Sequence, residues 1–240
     1  MTTAEEHNAY QRAYYGGAPR PAIAPVDTPY VRRHLEAVLA ALGHARRGRI
    51  LEVGAGEGRY TLLLHALGSD VTASDLSAPL LARLQARAPG LPTVVGDVLD
   101  LPRASLAAFD AVVGFFVLHH LHDLSAGFAA LHRLLKPGGR AVFCEPNGLN
   151  PLFYLQILLS PRMTWRGDGG VRHMRPGVVE RGMRAAGFVD VRTARFGLFP
   201  GMLLKNALGR RLEAALEPSL TRLPVCPAFQ LFSASRGPRR

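Results

Sequence analysis

The architecture of this chain is best inferred from one segment, Ile50-Leu51-Glu52-Val53-Gly54-Ala55-Gly56-Glu57-Gly58-Arg59-Tyr60-Thr61. Its first four residues are typical of a buried strand, whereas Tyr60 to Leu67 has the composition of a helix, which stops at Gly68. Glycine adopts positive φ without strain and leaves the main chain bare for a ligand. The free N–H groups of the following helix point into the same space. The stretch therefore predicts a strand, a glycine-rich turn and a helix that bind a nucleotide-like cofactor.

The spacing of the glycines distinguishes two kinds of cofactor site. A dinucleotide site has the pattern G-x-G-x-x-G, but position 59, where its third glycine would fall, is Arg59. This disfavours a nucleotide-dependent oxidoreductase. Instead Glu52 precedes alternating glycines, and this pattern resembles the first motif of the class I S-adenosylmethionine (SAM)-dependent methyltransferases. The resemblance implies that Glu52, Gly54 and Gly56 hold the methionine half of that cofactor.

An aspartate ends the second predicted strand. Asp75 lies 17 residues after Gly58, where a doubly wound cofactor site places a carboxylate that accepts two ribose hydroxyls. Asp75 could instead cap the helix that begins near Ala78. Its position relative to the glycines favours the cofactor role.

The third predicted strand leads into Gly-Asp-Val-Leu-Asp-Leu-Pro at residues 96–102, which is similar to the family's third element. The resemblance implies that Asp97 binds the adenine amino group and that the main chain of Val98 meets a ring nitrogen. It also adds three further residues to the expected cofactor contacts, Leu76, Phe115 and His120.

The ends of the fourth and fifth strands offer a catalytic pair. The stretches FDAVVGFFVLHHL (109–121) and LLKPGGRAVFCEP (134–146) closely resemble the family pattern. Because these strands are neighbours in such a sheet, His119 and Glu145 lie at adjacent carboxyl ends. A histidine oriented by a carboxylate is a suitable general base. A doubled histidine also occurs in family members with other acceptors, where it caps the helix or touches the cofactor, and His173 is a second candidate base.

The resemblance implies an α/β fold with a doubly wound, seven-stranded Rossmann-like sheet of order 3-2-1-4-5-7-6, the last strand antiparallel, with helical lid insertions. We expect residues 1–29 to form an arm that covers the cofactor through Tyr15 or its neighbour Tyr14, although these tyrosines could simply pack on the first helix. Residues 30–240 form the methyltransferase domain. Its core is 49–147, and lid or substrate insertions lie at about 148–176 and 198–227, the latter with an amphipathic helix near 203–216.

The positive charge is concentrated in the last part of the chain. The 240 residues carry a formal charge of +11, and residues 149–240 contain 15 Lys+Arg against 5 Asp+Glu. This excess could attract an anionic acceptor, an anionic membrane surface or RNA. It could instead reflect a GC-rich coding bias, which favours arginine over lysine. The arginines are scattered without interleaved aromatic residues, which disfavours RNA, and nothing in the sequence indicates DNA binding.

Cysteine usage and the N-terminus indicate the compartment. Cys144 and Cys226 form neither a C-x-x-C motif nor a disulfide framework, the N-terminus is polar, and no apolar run reaches the ~20 residues of a membrane span. We therefore expect a cytoplasmic protein. His119, His120 and His122 lack the i, i+4 spacing of a helical metal site, so no metal is expected.

Together these observations predict a SAM-dependent methyltransferase that acts on a small molecule in secondary metabolism. The methylated atom is oxygen, nitrogen or carbon, with oxygen slightly favoured. We expect a monomer or homodimer. The alternatives are an RNA methyltransferase and a SAM-binding scaffold without turnover, because binding motifs alone do not establish catalysis.

Overall fold

The computed structural model of the protein describes residues 3–17, 24–102, 105–160, 163–199, 204 and 206–238. Its centre is a seven-stranded sheet. The strands are, in chain order, β1 (Ile50–Val53), β2 (Val71–Asp75), β3 (Thr93–Val95), β4 (Phe109–Phe115), β5 (Leu135–Pro146), β6 (Phe188–Phe196) and β7 (Phe229–Arg236). They lie in the order β3-β2-β1-β4-β5-β7-β6, which confirms the predicted order.

The first five strands are parallel, and β7 is inserted between β5 and β6, antiparallel to both. Ile50 of β1 lies between Val71 of β2 and Ala111 of β4. Every residue of β1 is buried, because helices cover both faces of the sheet. The carboxyl ends of the parallel strands consequently meet at one edge, and the loops that follow them share one space.

Helices form a layer on each face of the sheet. They are α1 (Ala4–Gly16), α2 (Pro29–Leu42), α3 (Thr61–Ala66), α4 (Ala78–Arg87), α5 (Leu124–Leu134), α6 (Pro151–Leu159), α7 (Trp165–Asp168), α8 (Pro176–Ala185) and α9 (Ala207–Leu220). One apolar cluster packs α5 and α8 on the sheet around Phe128 and Phe143. The other packs α2, α3 and α4 around Leu42, Leu64 and Leu84. The sheet is therefore buried on both faces, as a doubly wound fold requires.

Helix boundaries follow local capping where the sequence contains it. Thr28 Oγ1 accepts the Val31 N–H at 3.2 Å, Pro29 occupies the first turn, and Gly43 follows the end of α2. The predicted helix at 203–216 is displaced, because the Asn206 side chain accepts the Gly209 N–H at 2.7 Å and so starts α9 at Ala207. Position 203 itself lies outside the described residues.

Helix α9 is fastened to α2 by a buried carboxylate. Glu213 is almost fully buried, accepts the Leu198 N–H at 2.7 Å and is paired with Arg33 of α2. Glu217 also pairs with Arg33 and accepts the Gly197 N–H at 2.8 Å. One guanidinium therefore holds both carboxylates of α9, together with the chain that leaves β6.

Replacement of Arg33 by methionine tests this connection. Arg33→Met leaves the Glu213 carboxylate buried without its cation, so we expect the free energy of unfolding to fall by about 1–3 kcal/mol in urea denaturation. The control is Arg32→Met, because Arg32 pairs with Asp27 on the exposed side of the same helix. The control should leave the midpoint unchanged. Equal midpoints for the two variants would contradict the role of Arg33.

Candidate active site

A cavity of about 1120 Å³ opens at the carboxyl edge of the parallel strands. It is bounded by the loops that follow β1, β2, β3 and β4 and by residues of α1 and α6. Small-molecule sites typically measure roughly 300–1,000 Å³, so this cavity has room for a nucleotide-like molecule and a second ligand.

The glycine loop after β1 lies against this cavity. Gly54 and Gly56 have φ of +69° and +57°. A Cβ built on Gly56 would find no described atom within 4 Å, so this main chain is bare towards the cavity. A Cβ on Gly58 would instead lie 2.3 Å from Leu84 Cδ1, so this glycine allows the loop to pack on α4. The motif therefore combines ligand-facing and packing glycines.

Asp75 is joined to the glycine loop at the end of β2. Its Oδ2 accepts the Gly56 N–H and its Oδ1 accepts the Ser77 N–H, both at 2.8 Å. Burial raises the pKa of Asp75 above its ordinary value. Ser77, not Asp75, is the N-cap residue of α4. The carboxylate and the adjacent Leu76 line the cavity.

Glu52 lies beneath the glycine loop as a buried acid. Its Oε2 accepts a hydrogen bond from Thr61 Oγ1 at 2.7 Å. Burial raises the pKa of Glu52 to about 8, and the nearby Asp75 carboxylate adds to the rise. At neutral pH this carboxyl group is therefore largely protonated, and a cation placed beside it would ionise it.

Asp97 borders the cavity after β3 and is linked to α1. Its Oδ1 accepts the Leu99 N–H at 2.9 Å, and its Oδ2 accepts from Asn8 Nδ2 at 2.5 Å. Val98 lines the cavity beside it. Phe115, at the end of β4, also lines the cavity and stacks on Tyr60 with ring centroids 3.8 Å apart.

His119 and Glu145 form a buried hydrogen-bonded pair. His119 Nδ1 lies 2.6 Å from Glu145 Oε2. The other carboxylate oxygen accepts the N–H groups of Val117 and Leu118 at 2.8 and 2.7 Å. Because Glu145 is an acceptor here, Nδ1 carries the hydrogen, and Nε2 is left with a lone pair. Nε2 has no hydrogen-bond partner among the described residues, and His119 lines the cavity.

His120 faces the cavity beside α1. Its Nδ1 donates to the Gly167 carbonyl at 3.0 Å, and its Nε2 lies 3.1 Å from the Tyr15 hydroxyl. Burial holds the pKa of His120 well below its ordinary value, so the ring is neutral and Nε2 accepts from Tyr15. Tyr14 binds Asp168 at 3.2 Å. These contacts place α1 directly over the cavity.

The structure thus brings the predicted cofactor residues and His119 to one cavity, with Glu145 fully buried and hydrogen-bonded to His119, but it does not bring His173 there. His173 is exposed on the turn before α8 and does not line the cavity. Residues 18–23 of the predicted arm lie outside the described part of the chain.

Sequence reasoning missed several residues of the cavity wall. Asn8 and Gln11 of α1 line it, as do Phe116, with a positive φ of 57°, and three leucines of α6, Leu152, Leu155 and Leu159. The left-handed backbone of Phe116 had no signal in the sequence, since glycine or asparagine is the usual residue in that conformation. The polar residues of α1 read as an ordinary solvated helix face.

The described residues contain neither a cluster of metal ligands nor a membrane-spanning helix. No group of three or more His, Cys, Asp or Glu side chains in this part of the chain could hold a metal ion. Nor does this part contain a helix with the length and apolar character needed to cross a membrane.

Comparison with known sequences places the chain among methyltransferases. A family model described as a methyltransferase domain matches residues 51–143. An uncharacterized methyltransferase of Mycobacterium bovis is 33% identical over 159 residues, 63% of this chain and 79% of that protein. A demethylmenaquinone methyltransferase of Beutenbergia cavernae is 36% identical over 132 residues, and a malonyl-[acyl-carrier protein] O-methyltransferase of Pseudescherichia vulneris is 33% identical over 112. These matches cover 52% and 47% of this chain, and the chain spans about half of those two relatives, 55% and 44%.

Solved structures share the fold. A SAM-dependent methyltransferase from Archaeoglobus fulgidus superposes with a TM-score of 0.64 at 16% identity, covering 86% of this chain and 93% of that one. The geranyl diphosphate C-methyltransferase of Streptomyces coelicolor, in complex with S-adenosyl-L-homocysteine, gives 0.65 at 17% identity, covering 98% and 100%. Sequence relatives, sheet order and glycine loop agree: the chain belongs to the class I methyltransferases, whose cofactor is S-adenosyl-L-methionine.

Proposed function

We propose that this chain transfers a methyl group from SAM to a small apolar acceptor, with oxygen the favoured atom, and that His119 is the general base. The observation that carries the proposal is the hydrogen bond from His119 Nδ1 to the buried Glu145, which leaves Nε2 as the acceptor nitrogen of a residue that lines a cavity with room for two ligands. In this proposal residues 1–29 form the arm that covers the cofactor, and residues 30–240 form the catalytic domain.

The cavity residues fit the cofactor in three groups. We assign the methionine half to Glu52, Gly54 and Gly56, because a buried acid and bare main chain suit its ammonium and carboxylate groups. We assign the ribose to Asp75 and Leu76 at the end of β2, and the adenine to Asp97 and Val98 after β3. The residues that stack on or cover the nucleoside are Phe115, Tyr15 and His120. The cofactor supplies a methyl group already activated by a sulfonium.

His119 would remove the acceptor's proton as the acceptor oxygen takes the methyl group. The proton moves to Nε2, and Glu145 stabilises the imidazolium that forms. Glu145 is a positioning residue, because it acts through His119. The cavity wall would align the acceptor with the methyl group and keep water from the reacting atoms.

The acceptor is assigned to the α6 side of the cavity. Leu152, Leu155 and Leu159 line the cavity although they are 61%, 47% and 73% exposed, so they stand at its mouth. Phe116, Met163, Leu198 and Phe229 continue this apolar wall inward. An apolar acceptor matches this wall. The demethylmenaquinone methyltransferase among the sequence relatives and the geranyl diphosphate C-methyltransferase among the solved structures point in the same direction.

Glu145→Gln tests the proton transfer. The oxygen of the introduced carboxamide would still accept the N–H groups of Val117 and Leu118, so its NH₂ would face His119 Nδ1 and force the hydrogen onto Nε2. We expect kcat/KM to fall by about 10²–10⁴-fold while the affinity for SAM is unchanged. His119→Ala should give a similar loss. Turnover of Glu145→Gln within twofold of the parent would contradict the base assignment.

Cofactor binding should release a proton from Glu52. With a pKa of about 8 in the free protein, Glu52 is mostly neutral at pH 7, and the positive cofactor favours its ionised form. We expect affinity to strengthen as pH rises towards 8 and then to level off. Calorimetry in buffers of different ionisation enthalpy should show about one more proton released by the parent than by Glu52→Gln. Equal release by the two proteins would contradict ionisation of Glu52.

Leu155→Asp and Leu159→Asp test the acceptor side. With methyl-labelled SAM and a panel of apolar phenols and isoprenoid alcohols, each should raise the acceptor KM by about tenfold, because a carboxylate replaces apolar contact. Affinity for SAM should not change. Leu67→Asp is the matched control, since Leu67 is similarly exposed but lies outside the cavity wall. Equal KM values for all three variants would place the acceptor elsewhere.

A further inference from the structure

Two buried polar side chains on the cavity wall lack hydrogen-bond partners. Gln11 is only 7% exposed, and both Oε1 and Nε2 are without a partner among the described residues. Ser77 is 3% exposed, and its Oγ is likewise without one. Both residues line the cavity. Buried polar atoms in folded proteins are almost always hydrogen-bonded, so unsatisfied atoms on a cavity wall indicate a ligand.

The position of Gln11 on α1 locates that ligand. Asn8, one turn earlier on the helix, donates to Asp97 at 2.5 Å. Tyr15, one turn later, meets His120 at 3.1 Å. Residues 8, 11 and 15 share one face of a helix, so Gln11 faces the space between these two anchors.

Ser77 borders the same space from the sheet side. Its N–H donates to Asp75 Oδ1 at 2.8 Å. A Cβ built on Gly16 would lie 3.0 Å from Ser77 Oγ, so the end of α1 rests directly on this serine. The unsatisfied groups therefore adjoin Asp75 and Asp97, the two carboxylates assigned to the ribose and the adenine.

We propose that the Gln11 carboxamide is a cofactor-binding group that hydrogen-bonds the nucleoside half of SAM, with the Ser77 hydroxyl beside it on the ribose side. The inference rests on the proposed function. A carboxamide offers a donor and an acceptor together, and ribose hydroxyls and adenine nitrogens match both. The α6 wall, assigned to the acceptor, is lined mainly by leucine side chains, although Gln156 of α6 also borders the cavity. Helix α1 thus binds the cofactor as well as covering it.

Gln11→Met separates a ligand-binding role from a structural one. Methionine keeps the length of the side chain but removes both polar atoms. Calorimetry of the full chain with S-adenosylhomocysteine and with 5′-methylthioadenosine, which lacks the amino-acid half, should show about tenfold weaker binding of both by the same factor. The ligand-free variant should melt about 2–4 °C higher, because two unsatisfied buried atoms are gone. Gln85→Met, on the exposed face of α4, is the matched control; Gln85 donates to Thr93 Oγ1 at 2.9 Å, away from the cavity wall, so the variant should leave both affinities unchanged and should not raise the melting temperature.

The other outcomes are distinct. Weaker binding of S-adenosylhomocysteine alone would place Gln11 at the methionine half, and unchanged binding of both with a raised acceptor KM would place it at the acceptor; either overturns the proposal. A lower melting temperature with unchanged affinities would make Gln11 structural. Gln11→Leu repeats the comparison if methionine does not pack. If the parent chain binds neither ligand, the proposed function itself fails. If the parent binds both ligands and Gln11→Met binds them with the same affinity, only this inference fails.

Discussion

The histidine side of the candidate active site depends on one buried carboxylate. Glu145 is fully buried at the end of β5, yet it accepts two main-chain N–H groups and the His119 ring. These hydrogen bonds compensate the cost of removing the group from water. They also connect β5 to the turn after β4. The contacts that stabilise the buried Glu145 carboxylate therefore also fix the orientation of the His119 ring.

That turn needs an unusual backbone. Phe116 adopts a φ of 57°, and its N–H donates to the Cys144 carbonyl at 2.8 Å. The left-handed residue redirects the chain after β4, so that the next two N–H groups converge on Glu145. A strained residue of this kind persists where the surrounding contacts over-determine it, which is common beside functional sites. The neighbouring His120 then lies against Tyr15 of α1, which couples the histidine turn to the helix over the cavity.

How much of this could be predicted from the sequence depends on how local each signal is. The glycine spacing after Glu52 and the acids that end the next strands are short-range patterns, and they carried the family resemblance that implied the fold class and the sheet order. The contact from Asn8 to Asp97 joins residues far apart in the chain, and nothing in the polar face of α1 distinguishes it from a solvated helix. The start of α9 was placed too early for a different reason, because the amphipathic pattern at 203–216 does not mark the Asn206 cap at which the helix begins.

The orientation of His119 by Glu145 is tested most directly by determining which ring nitrogen of His119 carries the hydrogen. In ¹⁵N-histidine NMR of the intact chain, at a pH where the ring is neutral and with His119→Gln used to assign the signals, we expect a hydrogen on Nδ1 and an unprotonated Nε2. In Glu145→Gln the two nitrogens should exchange roles. A hydrogen on Nε2 in the parent protein, or the same pattern in both proteins, would contradict the claim that Glu145 orients His119 as a base.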